Sequence, residues 1–284
     1  MQINGKKIII NLDDIGFSAP VNRAVKLCYD SGLAVGVSIM SVGESFKEAC
    51  ELLRETGREE AGVHLTLTGE FSPCCSDKKR VKTLVGDDGK FYKNYMHFMT
   101  PYFKGSLDIS EISTEFDEQI RRVKVAGLNV THLDSHEHIH MFPGVFGVTL
   151  DLAKKYGIKY IRIPEESMKS MGKDFSVKDM LRQIGLRMFT ARKKKEIVKN
   201  GLVCNDRFLG HFHSGRIDDD ILCYLLGRID AGITELAIHP ADADDEFIEK
   251  FPWYKNTRTE LSMLLEGSWR KKAKMLGIEI ITQA

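Results

Sequence analysis

Residues 131–143 read Thr-His-Leu-Asp-Ser-His-Glu-His-Ile-His-Met-Phe-Pro and hold four of the chain's nine histidines together with two carboxylates. Imidazole and carboxylate are the donors that borderline and hard divalent cations accept, so this density points to a metal ion. Spacing narrows the ligand choice only in part. If the segment is extended, His132, Asp134, His136, His138 and His140 share one face; if it is helical, His132, His136 and His140 do. Pro143-Gly144 and the helical pattern after them predict that a strand ends near Asp134 or Ser135 and a loop carries the rest. His136, the first histidine off the strand, is then the best-placed ligand. His132 reads as a hydrogen-bonded structural histidine, and His138 and His140 as substrate contacts or as groups backing the ligands.

Polar groups able to bind a metal or move a proton also lie at or near the ends of other apolar runs. Asp13 and Asp14 follow Ile8-Ile9-Ile10-Asn11-Leu12, His64 sits within Gly62-Val63-His64-Leu65-Thr66-Leu67, and His239 closes Leu236-Ala237-Ile238. Asp14, or Ser18 beyond it, could cap the next helix. Histidines at two further strand ends favour the metal reading instead. One carboxylate and two imidazoles leave a position open for water, and the second aspartate is free for proton transfer. No Gly-x-Ser-x-Gly elbow, Gly-x-x-x-x-Gly-Lys-Ser/Thr loop, Gly-x-Gly-x-x-Gly or His-Glu-x-x-His occurs. Hydrolysis by metal-activated water is what remains.

Such dispersed residues meet only if the elements bring strand ends together. Short β-branched runs alternate with longer helical patterns, predicting βαβ units around a parallel sheet. Eight strands are expected, at 7–12, 35–40, 62–67, 129–134, 159–163, 208–212, 235–238 and 278–281. Helices are expected after Ser18, with Pro20 in the first turn and Gly32 beyond the end, and over 144–156 and 257–275, stopped by Gly157 and Gly277. This pattern predicts an α/β chain folded as an irregular TIM-like (β/α) barrel, one domain over 1–284, with an open doubly wound sheet as the alternative. In a barrel the carboxyl ends of the strands converge on one face. An insertion at about 69–107, carrying Phe91, Tyr92, Tyr95, Phe98, Tyr102 and Phe103, reads either as a lid or binding element or as a surface excursion packing its own aromatics.

The 284 residues are 43% hydrophobic and 29% charged, with 41 basic against 40 acidic side chains, so no field favours nucleic acid or an anionic membrane. Arg192-Lys193-Lys194-Lys195, the one basic cluster, reads as a solvated helix face or end. Neither a signal peptide nor an apolar run of about 18 residues is seen, which predicts a soluble, cytoplasmic protein. The six cysteines lack Cys-x-x-Cys spacing and read as reduced thiols.

The chain resembles the YdjC-like carbohydrate deacetylase family, including its chitooligosaccharide deacetylases. The resemblance rests on Asn11-Leu12-Asp13-Asp14-Ile15-Gly16, on 62–68 (Gly-Val-His-Leu-Thr-Leu-Thr), on 131–143, on Tyr160-Ile161-Arg162-Ile163-Pro164, and on Glu235-Leu236-Ala237-Ile238-His239-Pro240. It implies removal of an acetyl group from an N-acetylated sugar, usually a short oligosaccharide, with Asp14, His64 and His136 on the metal and Asp13 as general base. Mg2+ is the ion implied; the donors suit Zn2+, Mn2+ or Co2+ equally well. His239 is the candidate acid for the leaving amine, and Arg162 either holds ring hydroxyls, orients Asp13 or joins a structural ion pair. Leu12, Ile15 and Glu137 depart from the family's common Ala, Phe and His. Two rival readings are a metal-dependent hydrolase of another bond such as a phosphoester, for which Asp242, Asp244 and Asp245 offer carboxylates, and a catalytically silent sugar-binding barrel. A small carbohydrate is the expected partner, with self-association admitted and neither nucleic acid nor membrane expected.

Overall fold

The structure is a computed structural model and describes residues 5–171, 177–190 and 192–283. Apolar runs bounded by glycine and polar turns form β1 (Lys6–Ile15), β2 (Gly36–Ile39), β3 (Glu60–Leu65), β4 (Asn129–Ser135), β5 (Tyr160–Ile161), β6 (Arg207–Leu209), β7 (Gly232–Ile238) and β8 (Ile278–Ile281). All pair in parallel, in the order β5-β4-β3-β2-β1-β7-β6. Strands such as Ile8-Ile9-Ile10 are apolar on successive residues because helices cover one face and the curled sheet encloses the other. The covering helices are α1 (Ala19–Asp30), α2 (Phe46–Glu55), α3 (Tyr95–Phe103), α4 (Ile109–Val125), α5 (Val145–Tyr156), α6 (Val177–Thr190), α7 (Lys193–Lys199), α8 (Asp219–Leu226), α9 (Asp245–Lys250), α10 (Thr257–Glu266) and α11 (Trp269–Met275).

All eight expected strands are present, and their parallel sheet agrees with the expected irregular TIM-like barrel except that it does not close. The sheet curls into a half-barrel. One edge of β1 is shared, with β8 along Lys6–Ile9 and β2 along Asn11–Ile15, while β7 takes the other edge. At the far side β5 is two residues long and Pro164, which has no N–H to donate, follows closely. β5 and β6 therefore meet no ladder of their own, and isolated bridges at Tyr160–Val203 and Glu166–Phe208 span the seam. The sixth strand, expected over 208–212, stops at Leu209 because Gly210 turns at φ 104°, where a Cβ would lie 2.4 Å from the Ala237 carbonyl oxygen. The helix expected over 257–275 is broken at Gly267 into α10 and α11.

Ser18 stands at the start of α1 but makes no side-chain capping bond; the Asn22 amide instead accepts from the Gly16 N–H and donates to the Ser45 carbonyl. The basic run opens α7, where Lys193 lies over Phe146 and Lys194 pairs with Asp206. Between residues 69 and 107, Phe91 and Phe98 are buried and α3 packs on the chain after β4, where Phe98 and Tyr102 meet Phe142 edge-on. All six cysteines are free thiols, and no described helix is long and apolar enough to cross a membrane.

Candidate metal and catalytic centre

Neighbouring residues on a strand point to opposite faces, so Asp13 and Asp14 should not reach one site. A register shift between Leu12 and Ile15 and a left-handed φ of 68° at Asp14 re-aim the chain at the end of β1. Aspartate tolerates that conformation better than most side chains. As a result Asp14 Oδ1 lies 3.3 Å from His64 Nε2 and 3.3 Å from His136 Nδ1. That oxygen is buried without a hydrogen bond, whereas Oδ2 accepts from the Tyr254 hydroxyl at 2.9 Å. One carboxylate oxygen and two ring nitrogens thus face a common point, all within 4.8 Å of one another. This donor set fits a divalent cation.

The ring behind each donor is held. β3 and β4 set His64 opposite Asp134, and Asp134 Oδ1 lies 3.0 Å from His64 Nδ1, which leaves Nε2 turned to Asp14. Burial would lower the His64 pKa, but the Asp134 carboxylate outweighs it and pushes the imidazole up to about 9, so a cation at Nε2 would bind there by displacing a proton. Asp14 is also buried, yet His136 and then His64 hold its carboxyl well below the usual range. His136 is the donor that reaches solvent, with 28% of its side chain exposed. After it, Glu137 and His138 take left-handed φ values of 53° and 58°, turning the chain away from the sheet.

Asp13 sits beside this trio in a different net. Its Oδ1 accepts from Asn11 at 2.7 Å and from Arg162 Nη2 at 2.8 Å, and its Oδ2 accepts from Arg162 Nη1 at 2.6 Å. Arg162 is wholly buried and also meets Asp134 at 2.7 Å and Glu235 at 2.6 Å; Tyr160 donates to the second Glu235 oxygen. Burial alone would raise the Asp13 pKa, but the guanidinium outweighs it and keeps the group ionised. The β1/β7 register pairs Leu12 with Ile238, so His239 follows beside Asp13, its Nε2 3.8 Å from Asp13 Oδ2. Burial lowers the His239 pKa and keeps the ring neutral.

The family model described as YdjC-like protein matches residues 7–275. The chain belongs to that family. Among the relatives of this YdjC-like protein, a carbohydrate deacetylase of Thermoanaerobacter pseudethanolicus is 26% identical over 92% of this chain and 91% of its own length. A carbohydrate deacetylase of Brevibacillus brevis is 26% identical over 97% and 98%. A crystal structure of an Enterococcus faecalis protein assigned to cellobiose-phosphate cleavage superposes with a TM-score of 0.79 at 23% identity, covering 98% of each chain, and shares the fold.

Within the YdjC-like fold, Asp13, Asp14, His64, His136 and His239 come together at the carboxyl ends of β1, β3, β4 and β7. The other named residues stand behind them. Arg162 has no exposed surface and cannot hold ring hydroxyls; it orients Asp13. His140 is equally buried, bonded to Ser135 at 2.5 Å and to the Arg162 carbonyl at 2.9 Å, and burial pushes its pKa down to about 4, so it backs the site rather than touching substrate. His138 lies with its ring 5.5 Å from that of His211 and 5.6 Å from that of Phe208. His132 bonds Ser38 at 3.0 Å and Thr131 at 2.8 Å, a structural histidine. Sequence reasoning missed Tyr254, Glu235 and Asn11, and passed over Asp134 as the partner of His64. Glu235 carried a signal, a charge inside the apolar run Ile233–Ile238; Asn11 carried another, two residues from Asp13 on the same strand face. Tyr254 lies 240 residues from Asp14, and nothing in its local pattern marks it.

Proposed function

We propose that this protein is a metal-dependent carbohydrate N-deacetylase that acts on short N-acetylated sugars such as chitooligosaccharides. The observation that carries the reading is the unbonded, buried Asp14 Oδ1 facing His64 and His136 with the ionised Asp13 alongside. The names of the full-length relatives support the substrate class. A divalent ion held by Asp14, His64 and His136 would polarise the acetamide carbonyl and acidify a water. Mg2+ is the ion implied by the family, while two imidazoles are donors that Zn2+, Mn2+ and Co2+ accept more readily.

The chain's own groups supply the proton chemistry. Asp13 is ionised and fixed in direction by Asn11 and Arg162; the guanidinium makes it a weak base, so it would take a proton only from a water that the bound cation has already acidified. An amide nitrogen leaves only when protonated, and the neutral His239 must first receive the proton it gives. Its Nε2 faces Asp13 Oδ2, so the water's proton passes to Asp13, on to His239 and then to the departing amine. Arg162 offers nothing to a phosphate, since three carboxylates already surround it, which disfavours the phosphoester reading.

The test incubates protein loaded in turn with Mg2+, Mn2+, Co2+ or Zn2+ with N-acetylated mono- and oligosaccharides and measures free acetate. Release that depends on metal and is lost in His64→Ala supports the reading. Full metal occupancy without acetate from any sugar overturns it.

A further inference from the structure

Two tryptophans occur in the chain, and they sit in opposite environments. Trp269 is completely buried, its indole N–H bonded to the Met263 carbonyl; Trp253 is 48% exposed. Single exposed apolar side chains are ordinary. Trp253 differs in its address. Its ring lies 4.9 Å from the His239 ring at 87°, directly beside the candidate acid.

The segment that carries it is pinned on both sides. Tyr254 stacks on Phe17 at 5.3 Å and 4° and bonds Asp14, while Phe251 packs edge-on against the same Phe17 at 4.9 Å. Gly215 backs one edge of the indole with bare backbone; a Cβ there would come within 3.3 Å of Trp253 Cζ2. The ring is therefore held rather than loose. No described hydrogen bond uses its indole N–H. A fixed apolar ring with a spare donor matches a pyranose, which offers C–H groups on its faces and hydroxyls at its rim.

We propose that Trp253 is the stacking platform for the sugar ring that bears the acetamide. The proposal rests on the deacetylase reading of the site. His239 must reach the leaving nitrogen, and that nitrogen is bonded to a ring carbon, so the ring nearest His239 is the reacting one. Trp253 touches His239 and so meets that ring rather than a more distant unit of an oligosaccharide.

The test uses the metal-loaded full chain, N-acetylglucosamine and its disaccharide, with intrinsic fluorescence and acetate release read in parallel. Because Trp269 is buried, a saturable emission change reports Trp253. It is expected with both sugars and absent in Trp253→Phe. Trp253→Ala should raise KM about tenfold, more than it lowers kcat, and Trp253→Phe, which keeps a ring but no N–H, should fall between it and wild type. Unchanged metal content in both variants separates stacking from a disturbed Tyr254. Acetate release with no emission change, or with wild-type KM in Trp253→Ala, overturns the platform and leaves the deacetylase standing. A KM or emission effect confined to the disaccharide overturns the assignment to the reacting ring. Saturable quenching without acetate from either sugar keeps the platform and removes the deacetylase reading.

Discussion

In the proposed reaction the two aspartates at the end of β1 divide the work because their neighbours differ. Asp13 receives Arg162 and Asn11, and Asp14 receives Tyr254 on one oxygen only. Asp13→Asn should retain the metal in elemental analysis while acetate release falls about 10²- to 10⁴-fold, the usual share of a general base. Substantial turnover in that variant would rule out Asp13 as the base. Tyr254→Phe removes the bond that orients Asp14, so metal affinity should weaken about 10- to 100-fold in a competitive titration, and unchanged affinity would mean that packing alone aims the carboxylate. At this scale the candidate donors were legible because each lies at or near the end of an apolar run, so their types and places are local facts. The residues that hold the donors were not, because hydrogen-bond partners such as Tyr254 are made adjacent only by the fold.

Elements decide how the strand ends meet, and no continuous ladder joins β5 to β6. The seam is closed by bonds of residues 159–163 to Val203 and Asn205 and by Glu166, whose Oε2 accepts the N–H groups of His211 at 2.8 Å and Phe212 at 3.0 Å. Burial pushes the Glu166 carboxyl up to about 7, against the pull of those N–H groups. A carboxyl whose pKa is raised on folding favours the protonated state. Its stabilisation is complete below the ordinary value of 4.5 and is lost as pH rises through about 7. Glu166→Gln keeps an acceptor without the charge, so it should flatten stability across that window and gain up to about 3 kcal/mol at pH 8, read from urea midpoints at pH 4.5 and pH 8. Equal wild-type and variant midpoints at pH 8 would show the group already relieved by its surroundings. The strands were legible from β-branched runs and glycine stops. Failure of the barrel to close was not, since it depends on how few ladder bonds β5 and β6 can form, and that follows from Pro164 after β5 and the turn at Gly210 after β6.

Over the whole molecule the donors tie together the amino-terminal half. Asp14 ends β1, His64 lies in β3 and His136 follows β4, and the last of these is braced by the 69–107 segment. There the Tyr95 N–H donates to Glu137 Oε2 at 2.6 Å and the Tyr102 hydroxyl donates to the Pro143 carbonyl at 2.6 Å. Glu137, which stands where the resembled family commonly has His, thus anchors α3 to the loop that carries His136. No unfolded chain holds three donors so far apart in sequence at one point, so an ion bound there stabilises the native state alone. Metal at about 100 times its dissociation constant should add about 2.7 kcal/mol to unfolding and raise the thermal midpoint, and a chelator should reverse the gain. His136→Ala should abolish the difference between metal-loaded and chelated protein, while Glu137→Ala, which frees α3 but keeps all three donors, should reduce it only in part. A midpoint that ignores the chelator in the wild-type protein would mean that Asp14, His64 and His136 do not jointly hold the ion.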